Sequence, residues 1–557
     1  MLQRFPIDTE SRTLRLCLLA LCAFLVLVAC SRSPESSQAD DGVEAATLIA
    51  AEPVDLVELH SDAPTIDWFK GDVDAAFAAA RKADKPVFLY WGAQWCPPCK
   101  QLKSSVFPRP DFVAKSRSFI AVYLDGDLPN AQKWGDEFRV SGYPTVVIFR
   151  PDRTEITRLS GGMDLSLYAA VLDNVLGDAR PVRDVLAVAA AQQEPLGADD
   201  CRRLAYHAFG LEDGEIFSTE LLANGFESAA LRCPEELTRE RARFQILAAG
   251  RVAQLEADAL KGGAAPTTRL KVLIAKVADL LDEQELALAN SDALNQLGPE
   301  FFAAARAGTP QLLGSLRERW MTNADAVATD ARFAPADQLA AQLLKIKAAK
   351  AFALDGKVPT AISQVALNAA GTMLAEKHES YVRASVVNSA INIYLALDDL
   401  PKARDLLAAE AETSNNPHYY LGDLADVEEK LGNSDRALFL YAAAYEQAKG
   451  PASRFQWGFN YLSGLLRMRP NDTQAILLVG NSVLGELSGP DSVHRRTRGR
   501  LERLDAEIRT WNNTAARAAV VAKLRTQFAT ICSRRQANTS GTSGADQCPP
   551  FLAVTAV

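Results

Sequence analysis

The chain has 557 residues, of which 48% are hydrophobic and 23% charged, and these fractions exclude a disordered, collagen-like or polytopic membrane protein. At roughly 100–200 residues per domain the length allows about three to five domains. Lys plus Arg number 60 against 69 for Asp plus Glu, a formal charge of -9, so nothing favours nucleic acid as a partner, which needs a concentrated basic surface.

Arg4, Arg12 and Arg15 precede an apolar run from Leu16 to Val28. The run is too short to span a bilayer comfortably and has the length of a signal-peptide core. It ends Leu27-Val28-Ala29-Cys30, which resembles the lipobox of bacterial lipoproteins. That resemblance implies cleavage before Cys30 and a diacylglycerol on its thiol, which makes 1–29 a lipoprotein signal peptide. The other reading is an ordinary secretory signal cut near Ala29. Either way the chain is exported, and Cys17 and Cys22 leave with the signal. By the same resemblance, Ser31 rather than Asp after Cys30 favours the periplasmic side of the outer membrane, ahead of the inner membrane or the free periplasm. Residues 30–64 are rich in Ser, Asp, Glu and Ala, without an apolar period, and read as a flexible tether.

The first folded unit, 65–178, alternates strand with helix. Asp72 to Ala83 predicts a helix with an alanine-rich face. Pro86 to Trp91 is an apolar run of buried-strand length. Cys96-Pro97-Pro98-Cys99 follows at once, then a helical stretch through Val106. Phe119 to Leu124 predicts a second strand and Ala131 to Val140 a helix. Thr145 to Phe149 and Glu155 to Leu159 predict two strands joined by a turn at Pro151-Asp152-Arg153. Leu165 to Leu176 closes the unit as a helix.

The run Trp95-Cys96-Pro97-Pro98-Cys99-Lys100 resembles the active-site turn of thioredoxins, and Gly142-Tyr143-Pro144-Thr145 resembles the loop that carries that family's cis-proline. Gly161 matches a family glycine between the last strand and helix. The resemblance covers about Asp67 to Leu176 and implies an α/β thioredoxin-like fold, with Cys96 and Cys99 as a redox-active pair and Trp95 and Pro144 beside them. A CxxC at a helix start aims backbone N–H groups and the helix dipole at the first sulfur. That favours thiolate at Cys96, the nucleophile, with exposed geometry. Cys99, one turn on, can resolve the mixed disulfide. Pro97 and Pro98 suit the first helical turn, where N–H groups lack partners anyway. Competing readings of the CxxC are a zinc half-site and a structural disulfide. Zinc needs two more ligands, and the sequence has no second CxxC and no nearby His pair, so the reading calls for no metal and no cofactor. One position departs from the family: where thioredoxins carry a buried Asp six residues before the first cysteine, this chain has Tyr90, which leaves the proton route for Cys99 open.

From Val182 to about Phe528 the sequence is rich in Ala, Leu, Glu and Arg and punctuated by Pro and Gly, as in helical hairpins. This predicts an α-helical region over 179–379, repeats over 380–480, and a C-terminal helix with a disulfide-stapled tail over 481–557. Asp398 to Arg404 is echoed by Gly432 to Leu438, at a period of about 34 residues. Ala425, Gly432, Ala437, Tyr441 and Ala444 match the small and aromatic positions of tetratricopeptide repeats, so the stretch resembles that family. The other reading is a generic helical bundle. Cys201 with Cys233, and Cys532 with Cys548, read as structural disulfides of an exported chain, with an electron shuttle to Cys96–Cys99 as the alternative. His494 to Arg500 is a basic run, read as a solvated helix start, or as a contact for an acidic partner or lipid headgroups. Leu501, Leu504, Ile508 and Trp511 then recur at helical spacing as a packing stripe.

Two functions follow. One is an envelope-tethered, periplasm-facing thiol–disulfide oxidoreductase whose partners are protein clients with thiols or disulfides, an envelope redox partner, and the membrane through its lipid. The other is a TPR-like scaffold or adaptor of an envelope assembly that uses the thioredoxin-like domain for docking.

Overall fold

The structure is a computed structural model that describes residues 65–557 apart from 141, 161–167, 169–170, 177, 193, 211–215, 297, 299–309, 354–355, 490–491, 539–547 and 554–557. The signal peptide, Cys30, the tether and Gly161 lie outside the described residues, as do five of the twelve residues of the helix expected over Leu165 to Leu176. In chain order the α/β unit comprises α1 (Val73–Ala83), β1 (Val87–Gly92), α2 (Pro97–Ser105), α3 (Pro110–Ser116), β2 (Ile120–Asp125), α4 (Pro129–Glu137), β3 (Thr145–Phe149) and β4 (Glu155–Ser160). Asp72 caps α1 by accepting the Ala75 N–H at 2.7 Å. α3 lies outside the elements expected from the sequence; Pro110 starts it, and Phe112 and Val113 bury its inner face. The helix expected over Ala131 to Val140 starts earlier, at Pro129, and ends at Glu137.

The strand order is β2-β1-β3-β4. β1 is parallel to β2 and antiparallel to β3, and β3 is antiparallel to β4. Central position explains why β1 is buried on both faces and reads as an unbroken apolar run. Its side chains alternate. Val87, Leu89 and Trp91 pack with Phe77 of α1 and Trp134 and Phe138 of α4. Phe88 and Tyr90 pack on the other face with Leu102 of α2 and Phe112 of α3. Each fully buried side chain of this kind contributes about 2–3 kcal/mol.

The rest of the chain is all helical among the described residues, from Val182–Ala191 to Ala515–Asn538. The fold class is therefore a thioredoxin-like α/β unit followed by a large helical region. Helices up to residue 348 share one apolar core with the α/β unit, running from Phe88 through Leu186 and Phe226 to Trp320 and Ala348. Cys201, in the helix Ala198–Tyr206, is bonded to Cys233, which ends the helix Thr219–Arg232, and both are buried. Beyond residue 360 the buried apolar residues belong to two further clusters. There the helices Ser380–Ala396, Leu400–Thr413, Pro417–Lys430, Ser434–Gln447 and Pro451–Met468 each pack on the next. Ala425, Ala437, Tyr441 and Ala444 are buried between them. Gly432 sits at φ 83°, where a side chain would be strained, and so allows the sharp exit from the helix ending at Lys430.

Leu501, Leu504, Ile508 and Trp511 form the buried stripe of the helix Arg495–Trp511. Cys532 is bonded to Cys548, which brings Phe551 against Phe528 with ring centroids 5.0 Å apart. No helix among the described residues is long and apolar enough to cross a membrane.

Candidate redox site

Cys96 is the residue before the first turn of α2, and Pro97 and Pro98 open that turn. Its Sγ accepts the Cys99 N–H at 3.3 Å, so the sulfur stands where the helix presents its unpaired N–H groups. This is the placement that favours a thiolate over a thiol. Cys96 and Cys99 are joined as a disulfide with Cα atoms 5.2 Å apart. The Tyr143–Pro144 bond is cis, and Pro144 is buried at the entrance to β3. Trp95 meets the Tyr143 ring edge-on at 5.8 Å, and Tyr143 in turn stacks on Trp91 of β1 at 5.9 Å. Gln132 of α4 donates to the Tyr143 hydroxyl at 3.0 Å. Cys96, Cys99, Trp95 and the Tyr143–Pro144 loop thus gather at one end of the sheet.

Tyr90 fills the position of the family's buried acid. It is fully buried, and its hydroxyl donates to the Cys99 carbonyl at 3.4 Å. Burial, and then the charge of Asp125, push its pKa far above the usual phenol range, so it stays protonated. Its ring stacks on Tyr123 at 5.3 Å. The Tyr123 hydroxyl donates to Asp125 at 3.3 Å and accepts from Lys103 of α2 at 3.1 Å. Burial lowers the pKa of both Lys100 and Lys103. The charged groups behind the disulfide are therefore a lysine pair on α2 and a carboxylate at the end of β2. The spacing of these residues carried no signal of that arrangement.

Two sequence expectations are corrected here. Cys96 is not exposed: only 3% of its surface is accessible, and Cys99 shows none. The basic run is not a solvated helix start. His494 and Thr497 are buried, and burial with three neighbouring arginines depresses the His494 pKa to about 3. Arg495 donates its backbone N–H to Asp136 of α4 at 2.7 Å, and Arg498 pairs with the same carboxylate at 3.0 Å. Arg496 lies over the Tyr143 ring at 4.6 Å. The acidic partner of the run is thus a residue of this chain.

Two further contacts join the helical region to the site. Tyr419 stacks on Trp95 with centroids 6.0 Å apart and planes 28° from parallel. Ser453 donates to Asp127 at 2.6 Å. Among the described residues no three His, Cys, Asp or Glu side chains gather as a metal site.

A thioredoxin-like domain family matches residues 73–176. Thioredoxin of Pseudomonas aeruginosa is 32% identical over 101 residues, 18% of this chain and 89% of that protein. Thiol:disulfide interchange protein DsbD 1 of the same organism is 33% identical over 96 residues, 16% of this chain and 16% of that one. Protein disulfide-isomerase tigA of Aspergillus niger is 27% identical over 225 residues, 38% of this chain and 55% of that one. The chain thus spans about a sixth of the interchange protein and about half of the isomerase.

Proposed function

Through residues 73–176 the chain belongs to the thioredoxin-like family, and from that premise we propose that it is a thiol–disulfide oxidoreductase of the cell envelope acting on protein clients. The observation that carries the reading is the Cys96–Cys99 disulfide at the start of α2, beside the Tyr143–Pro144 loop. In the reducing direction the Cys96 thiolate attacks one sulfur of a client disulfide, bonds to it, and expels the other client sulfur as a thiolate. The Cys99 thiolate then attacks Cys96 Sγ. The client leaves as a second thiolate and the Cys96–Cys99 bond re-forms. Two electrons pass to the client, and two protons from solvent complete its thiols. Oxidation is the same sequence reversed, and an envelope redox partner resets the pair in either direction.

The printed names of the interchange protein and the isomerase support protein disulfides as the substrate class. Leu27-Val28-Ala29-Cys30 supports a lipid on Cys30 and a place on the periplasmic side of the outer membrane. Insulin reduction by the full chain tests the activity. A rate above that of Cys96→Ser supports it, and equal rates overturn it. Fractionation of cells expressing Cys30→Ala tests the anchor, and unaltered membrane association would place the anchor elsewhere.

A second reading is a TPR-like scaffold whose thioredoxin-like domain serves for docking. The observation in its favour is that helices from Ser380 onward lie against the redox face. Insulin reduction that depends on Cys96 would remove it.

A further inference from the structure

A client sulfur must approach Cys96 Sγ in line with the bond it breaks, so exchange with a protein needs open space above that atom. Residues of the helical region lie against the elements around that atom. The helix Ser380–Ala396 packs on α2, which carries both cysteines. Tyr419 covers Trp95, Arg496 covers Tyr143, and Ser453 holds Asp127. Gly450, at φ 78°, comes so close to the Asp127 carbonyl that a Cβ would collide with it. Arg495 and Arg498 hold Asp136. Trp95, Tyr143, Asp127 and Asp136 are thus each met by residues between Ser380 and Trp511, and Cys96 has 3% accessibility.

The joint differs in kind from the cores on either side of it. The buried apolar residues beyond 360 form clusters that share no member with either cluster of the α/β unit. The helix Pro335–Phe352 bridges two of these clusters: Ala341, Leu344 and Ala348 belong to the core shared with the α/β unit, Leu339 and Ile346 to the next cluster. The side-chain contacts described across the joint at the redox face are ring stacking, a cation over an aromatic ring and polar contacts. Asp127 and Asp136 lie there with their carboxyls above the usual range, because burial outweighs their hydrogen bonds and cationic neighbours. Arg495 and Arg500 are lowered by burial and by other arginines nearby. Closure therefore desolvates charge without full return, which makes this seam weaker than an apolar core of the same extent.

We infer that the helices between Ser380 and Trp511 are a closed cap over the Cys96–Cys99 pair, latched by Tyr419 on Trp95 and Arg498 on Asp136, and that a protein client reaches Cys96 only when the cap lifts. The inference rests on Cys96 as the exchanging thiol, and its test does not depend on turnover.

The full chain is reduced with dithiothreitol, desalted, and exposed in parallel to iodoacetamide and to a 5-kDa polyethylene glycol maleimide. Labelling at Cys96 is read by peptide mapping. Tyr419→Ala combined with Arg498→Ala should raise polymer labelling about tenfold or more, the effect of losing one ring stack and one charged hydrogen bond. Iodoacetamide labelling should change far less. Because the double variant could fold poorly, Asp136→Asn and wild type at 1 M salt provide a second measurement. Both weaken the charged latch and should raise polymer labelling in the same direction. Wild-type Cys96 that takes the polymer as fast as the double variant, or a rate unmoved by Asp136→Asn and by salt, overturns the cap. Loss of insulin reduction with the labelling pattern intact would instead count against the oxidoreductase reading.

Discussion

The hydroxyl of Tyr90 donates to the backbone carbonyl of Cys99 at 3.4 Å, so the group directly beneath the resolving cysteine is a buried phenol. A phenol held protonated by burial cannot take the Cys99 proton. Tyr90→Asp places a carboxyl in the same region and should speed resolution of the mixed disulfide by on the order of tenfold. Loss of the ring from its contacts with Phe107 and Tyr123 should cost about 3 kcal/mol. Stopped-flow resolution together with denaturant unfolding reads both effects. A release rate equal to or below that of wild type would mean that the proton leaves by another route.

The two sulfurs should separate by role. Cys96 accepts the Cys99 N–H at the helix start and should be the attacking thiolate. Cys99 should be needed only for release. Cys99→Ser should accumulate mixed disulfides with clients on non-reducing gels, and Cys96→Ser should trap nothing. Adducts formed through Cys99 in the Cys96→Ser chain would reverse the assignment.

Asp423 lies one helical turn beyond Tyr419 in the helix Pro417–Lys430, and burial, with the charge of Asp426, raises its pKa to about 6. In the unfolded chain the same carboxyl titrates near about 3.9. Between these values the unfolded state sheds the proton first, so stability falls as pH rises from about 4 to about 6, and the loss is complete above that. Asp423→Asn should therefore stabilise the protein at pH 8, by on the order of 1–2 kcal/mol once partial exposure is allowed for, and leave stability at pH 4 nearly unchanged. Thermal unfolding of both chains at the two pH values checks this. An equal gain at both would point to packing rather than charge.

The Cys201–Cys233 bond closes a loop of 32 residues. Its removal as Cys201→Ser with Cys233→Ser should destabilise the fold by about 3–4 kcal/mol through the entropy returned to the unfolded chain. Both positions are buried, so local packing adds to the loss. Denaturant midpoints measured under non-reducing conditions give the difference. A variant as stable as wild type would mean that the native protein carries the two thiols free.

By itself the sequence determined what local chemistry determines. The strand before Cys96, the helix opened by Pro97 and Pro98, and the order of strands and helices are written in short-range apolar periods and in residues with restricted backbones. The same is true of the buried stripe Leu501, Leu504, Ile508 and Trp511, whose spacing needs only one helix to be read. Only the tertiary structure decided whether Cys96 meets solvent, where the arginines after His494 point, and what faces Trp95. Each of these depends on pairs such as Trp95 with Tyr419, or Asp136 with Arg498, that lie hundreds of residues apart and leave no mark in the local pattern of either segment. A charged run looks the same whether its partner is water or a buried aspartate. The choice is made by the packing that brings the helix Arg495–Trp511 onto α4.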